Sequence, residues 1–323
     1  MIKERNFLKY KRAVIFILAM AVGLQVLMVS ISKKKHSNYL FIGQMNFDHH
    51  LLANDLTTKK KIFFLGSSAV AGNNIPDETT LADYFNQLMP QYKAYNLATM
   101  QANLLDANVI LNYFKTKNPK IAVLGIDPSV FWNDQSSLLS KVHSDYIEPE
   151  NIHLLNLDSK LLFDEKLKMK FHRDPTPPTN FQIWWKSNLF LAREKFWGPL
   201  FNKKIFGKEQ LILEKINSES NLAWGLIDNF IKLARANGIT PVIFLGPILS
   251  STYPNESFEI FKNRMSAKSL QLNFTYLNYS DLLSPTHDNF LDFVHLTPKG
   301  NNLLAQKIKI DLISKNIISE KVQ

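Results

Sequence analysis

Two short stretches carry residue types that can do nucleophilic chemistry. In "NFLDFVHLTPKGNNLLA" (289–305), Asp292 stands three residues before His295. A histidine whose ring must keep one orientation often has a carboxylate close by, so the spacing suggests a general base and its orienting partner. The second stretch is "FFLGSSAVAG" (63–72), where a Gly-Ser-Ser turn follows a short apolar run. A turn at the carboxyl end of a strand puts a hydroxyl at the reactive rim of a sheet, with free backbone N–H groups around it. The chain has no cysteine, which excludes disulfides, thiolate metal sites and cysteine nucleophiles. Asp48, His49 and His50 are metal-ligand types, but no further ligand pattern accompanies them and they read as polar linker.

The elements that would position these residues alternate. "KIFFLG", "YKAYNLA", "KIAVLGID", "TPVIFLGP" and "NFTYLN" are short apolar runs of strand length. Between them lie helical patterns: "DETTLADYFNQLM" with a Thr or Asp cap, "ANLLDANVILNYFKTK" closed by Asn118-Pro119, and "NLAWGLIDNFIKLARANG" ending at Gly238. A helix around 256–270 and a final one from Pro298 complete the series. Such alternation predicts a three-layer αβα sandwich with a central parallel sheet, whose reactive groups gather beyond the carboxyl ends of the strands. The pattern fails over about 134–218, which reads as a mostly helical insertion rich in aromatics. From Lys160 to Lys208 that segment is strongly basic, and it is suited either to lipid headgroups or a membrane partner, or to a packed subdomain with core tryptophans.

With 323 residues, 46% of them hydrophobic and 20% charged, the chain reads as a folded protein able to bury a full core. Its formal net charge of +10 raises nucleic acid or anionic lipid as partners. Location favours lipid. Residues 13–31, "AVIFILAMAVGLQVLMVSI", carry no charge and are long enough to cross a hydrocarbon core of roughly 30 Å. Lysines and arginines flank both ends, and no small-x-small cleavage pattern follows, so an uncleaved signal anchor is expected. The implied order is a cytoplasmic N-terminus (1–12), a transmembrane anchor (13–31), a juxtamembrane linker (32–60) and an extracytoplasmic domain (61–323). Nucleic acid drops out as a partner.

Gly-x-Ser after the first strand and Asp-x-x-His after the last, continuing "DFVHLTPKGN" into a helix, resemble the SGNH/GDSL hydrolase superfamily. The resemblance implies its flavodoxin-like fold, Ser68 as nucleophile, His295 as general base and Asp292 as the residue orienting it. The middle blocks depart from the family pattern. "YNLATMQAN" keeps Asn96 but has Ala98 and Gln101 in place of glycines, so a second oxyanion donor would be the backbone near Gln101 beside that of Ser68. "LGIDP" puts Asp127 where the donor asparagine usually stands; a carboxylate there would repel an oxyanion, which leaves backbone, Asn103 or Asn133 as donors, or another role for Asp127.

The anchor ahead of the Gly-Ser-Ser block is similar to the DltD family and to the alginate and peptidoglycan O-acetylation proteins, which work beside a membrane-bound O-acyltransferase. That likeness implies a membrane-anchored serine acyltransferase or esterase acting on acyl esters of an envelope polymer, or on a small ester, through acyl-Ser68 and without metal or organic cofactor. Two other functions compete. One is a non-catalytic SGNH-fold protein that binds a glycan or a membrane acyltransferase; the other is a lipase or carbohydrate esterase with no membrane partner.

Overall fold

The computed structural model describes residue 52 and residues 55–72, 75, 78–98, 104–127, 221–248 and 255–320. The apolar run 13–31, the trio at 48–50, Gln101, Asn103, Asn133 and the insertion at 134–218 lie outside them. Among the described residues no helix is long and apolar enough to cross a membrane.

The strands are β1 (Lys60–Gly66), β2 (Tyr92–Asn96), β3 (Pro119–Ile126), β4 (Thr240–Leu245) and β5 (Thr275–Asn278). All pair in parallel, in the order β2-β1-β3-β4-β5. The helices are α1 (Ser68–Ala71), α2 (Leu81–Leu88), α3 (Leu104–Phe114), α4 (Asn221–Ala236), α5 (Asn255–Gln271) and α6 (Pro298–Ser314).

The central strands β1, β3 and β4 are apolar over their inner residues because both faces of the sheet are covered. Along β1, Phe63 and Leu65 join a core with α3, α4 and α5, while Ile62 and Phe64 join a second core with α2 and α6. Each such fully buried side chain contributes about 1.5–3 kcal/mol relative to exposure. Helix starts follow local chemistry. At α2, Thr80 and Asp83 exchange a reciprocal capping box. At α6, Thr297 accepts the Gly300 N–H at 3.1 Å and Pro298 opens the first turn.

Two ends fall earlier than the apolar pattern suggests. β2 stops at Asn96 rather than Ala98, because the Asn96 side chain takes the Ala98 N–H at 3.3 Å and turns the chain out of the sheet. α3 closes at Phe114 and tightens into a 3-10 turn over Lys115–Lys117, since Asn118 adopts a left-handed conformation (φ 54°) ahead of Pro119.

In this strand order the chain leaves β1 toward one edge and returns across it to β3 on the other side. The crevice between the carboxyl ends of β1 and β3 is therefore the topological switch point, where ligands bind in open α/β sheets.

Candidate active site

Ser68 is delivered by the turn that follows β1. Gly66 has φ +144°, and a Cβ there would stand 2.6 Å from the Gly125 carbonyl oxygen and 2.9 Å from Val70 Cγ2. Glycine is thus required where α1 lies down on the ends of β1 and β3. Hydrogen bonds inside the turn begin at Val70 and Ala71, whose N–H groups donate to the Ser67 carbonyl at 3.0 Å. The first-turn N–H groups of Ser68 and Ala69 stand outside that pattern, as helix geometry dictates. The far end of α1 is held by Asn96, whose Nδ2 donates to the Ala71 carbonyl at 3.0 Å.

Asp292 and His295 are positioned by a turn of their own. Asp292 Oδ1 accepts the N–H groups of Val294 at 3.0 Å and His295 at 2.8 Å. This self-bonding aspartate folds the four residues back on themselves. The turn is clamped where the Leu291 N–H donates to the His295 carbonyl at 2.8 Å and where Phe290 bridges Leu296. Its position ahead of α6 is set by the Thr297 N–H donating to the Asn289 carbonyl at 2.9 Å.

The two units meet across 227 residues of chain. Ser68 Oγ lies 2.8 Å from His295 Nε2, and His295 Nδ1 lies 2.6 Å from Asp292 Oδ2. With Asp292 ionised, the proton on Nδ1 points at its carboxylate and Nε2 is left as the acceptor for the Ser68 hydroxyl. Burial acts to raise the Asp292 pKa; hydrogen bonds from the His295 ring and the Val294 and His295 N–H groups, with the His295 charge, outweigh it and hold the carboxyl below its ordinary value. Side-chain exposures of 16% for His295 and 19% for Asp292 leave the pair shielded but reachable. The arrangement can activate a hydroxyl toward an acyl carbon and hold the imidazolium that results.

A small apolar pocket lies against the serine turn, lined by Ala69, Val70, Phe244, Ile248, Val294 and Leu304. Ser67 and, just past the end of β3, Asp127 also line it. Ser68, His295 and Asp292 come together, Asp127 lines the neighbouring pocket, and Gln101, Asn103 and Asn133 fall outside the described residues. Sequence reasoning missed the tether from Asn96 to α1 and the pocket itself, although apolar residues at the carboxyl ends of β4 and its following loop were a readable signal.

The chain is similar to several solved structures. A GDSL-like lipase from Bacteroides thetaiotaomicron is 9% identical, over 83% of this chain and 98% of that one, with a TM-score of 0.43. A member of the lipolytic G-D-S-L family from Veillonella parvula is 9% identical over 79% and 99%, with a TM-score of 0.42. A family two carbohydrate esterase from Clostridium thermocellum, solved with cellohexaose, is 9% identical over 80% and 65%, with a TM-score of 0.41. No family model matches the chain, and no curated protein sequence does. At so low an identity and TM-score, what the site does is read from its own geometry.

Proposed function

We propose that this chain is a serine acyltransferase or esterase of SGNH type, anchored in the cytoplasmic membrane by residues 13–31 and acting outside it on acyl esters of an envelope polymer. The hydrogen-bonded chain Ser68–His295–Asp292 carries the reading. As Ser68 Oγ attacks the acyl carbon, its proton passes to His295 Nε2, and Asp292 stabilises the imidazolium. The oxyanion faces the N–H groups of Ser68 and Ala69, with further donors expected near Gln101. Collapse returns the proton from His295 to the departing alkoxide and leaves acyl-Ser68. A polymer hydroxyl or water, deprotonated by His295, then takes the acyl group. The first acceptor makes the protein a transferase, working beside a membrane-bound O-acyltransferase; the second makes it an esterase.

One observation favours a second reading. Asp127, a carboxylate, lines the pocket beside the serine turn, where oxyanion chemistry wants a donor. That suits a fold which binds a glycan or a partner enzyme without reacting. Intact-mass analysis of the full chain in detergent, exposed to a fluorophosphonate and then to p-nitrophenyl acetate, separates the two. An adduct present in the wild type and absent in Ser68→Ala is expected, and an acetyl adduct that outlives the assay points to a missing acceptor. A folded wild-type sample with no adduct defeats the catalytic reading in favour of the binding one.

A further inference from the structure

Among the described residues, charge is divided along the strand axis. At the amino ends of three neighbouring strands lie Lys59, Lys60, Lys93, Lys115, Lys117 and Lys120: Lys60 opens β1 opposite Tyr92, Lys93 pairs with Lys61, Lys120 is the second residue of β3, and Lys115 and Lys117 form the turn before it. Lys59 reaches into the same edge, its Nζ donating to the Pro90 carbonyl at 2.8 Å. Among the described residues, Asp55 pairs with Lys61 at 3.3 Å, Asp311 with Lys307 at 2.8 Å and Glu320 with Lys309 at 3.4 Å, while Lys115 Nζ donates to Asn112 Oδ1 at 2.9 Å and Lys93 lies over the Tyr95 ring. The opposite end, where the strands finish and Ser68 lies, carries Glu78, Asp83, Asp127, Asp281, Asp288 and Asp292 among the described residues. Its Lys299 is paired with Asp288 at 3.1 Å.

The chain also enters the sheet at the basic end, since β1 begins at Lys60 and the apolar run precedes it in sequence. A bilayer with anionic headgroups attracts clustered lysines over roughly 8 Å and repels carboxylates over the same range. We infer that the amino-end face of the sheet, centred on these six lysines, docks on the anionic headgroups of the membrane and turns Ser68 outward. The inference rests on the anchored reading above and adds to it where the substrate must come from. The eight residues of β3, at about 3.3 Å each, put the site roughly 25 Å above the headgroups. An acceptor there is a polymer lying beyond the lipid surface.

The test uses the full chain in vesicles of phosphatidylcholine, with or without phosphatidylglycerol, and reads acetylation of each lysine by N-hydroxysuccinimide acetate. Labelling of the six lysines slows about fivefold in the anionic vesicles, recovers in high salt, and is unchanged at Lys299. The double variant Lys117→Glu, Lys120→Glu loses the protection at Lys59, Lys60 and Lys93 while its ester hydrolysis stays at the wild-type rate. Equal labelling in both vesicles, with the chain still floating alongside the lipid, overturns the docking and leaves the anchor standing. Failure to float overturns both. Protection of lysines between 160 and 208 in place of the six shows that the domain meets lipid through that segment and overturns the inference. So does equal protection by soluble polyphosphate over phosphatidylcholine, which assigns the face to a polyanion.

Discussion

Replacing Asp292 by asparagine separates the orientation of His295 from the integrity of its turn. Asparagine keeps a carbonyl oxygen for the Val294 and His295 N–H groups, so two of the three hydrogen bonds made by Asp292 survive. The third, to the imidazole, is charge-assisted, and such bonds contribute about 1.5–3 kcal/mol, which bounds the stability loss. The catalytic loss is larger. The new amide N–H points at His295 Nδ1 and forces the proton onto Nε2, which then faces Ser68 Oγ as a donor and cannot take its proton. An inverted tautomer of this kind costs on the order of 10⁴ in rate, or about 5.4 kcal/mol of barrier. The assay is the rate of fluorophosphonate labelling of Ser68 by mass, alongside a urea midpoint.

Stability carries its own pH signature. Because the folded carboxyl of Asp292 is held below its ordinary value, its contribution is fully present above about pH 4 and is lost as pH falls through the folded pKa. The stability gap between wild type and Asp292→Asn is therefore level from pH 6 to about pH 4 and narrows as the pH falls below that. A labelling rate within tenfold of wild type in a folded Asn variant would show that Asp292 does not set the histidine's orientation. A gap that widens on acidification would reverse the assigned direction of its pKa.

Asn96→Ala removes the tether to the Ala71 carbonyl. It should cost about 1–3 kcal/mol in urea unfolding and slow Ser68 labelling without changing the apparent affinity for a small ester. Gly66→Ala must place a Cβ 2.6 Å from the Gly125 carbonyl at φ +144°, and a loss of soluble folded protein is expected. Gly225→Ala, on an exposed position of α4 where no described atom beyond the local helix backbone lies within 4 Å of the new Cβ, should instead raise stability by up to about 1 kcal/mol. A Gly66→Ala protein as stable as wild type would refute the close approach of α1 to β3.

What the sequence disclosed of the site follows from how local each contact is. Asp292 and His295 are three residues apart and bonded by their own turn, so their spacing announces their geometry. Ser68 was legible as the turn after a strand, and choosing it over Ser67 needed the family pattern. The strand and helix series was readable because strands buried on both faces are apolar over their inner residues. Hidden from view were the contacts that register alone creates: Asn96 on Ala71, Gly125 beneath Val70, and the pocket assembled from α1, β4 and α6. No local pattern marks a residue for a neighbour dozens of positions away.

β3 and β4 are paired directly, from Ile121 opposite Thr240 to Ile126 opposite Leu245, yet residues 128–220 separate Asp127 from α4. The register is written in the pairing of the two strands themselves, and lengthening a connection twofold costs only about 0.6 kcal/mol. The stretch departs from Asp127, just past the carboxyl end of β3 and in the wall of the pocket beside the serine turn. A scaffold that aims Ser68 through strand pairing and turn contacts therefore tolerates a change of length in that connection without a change of register.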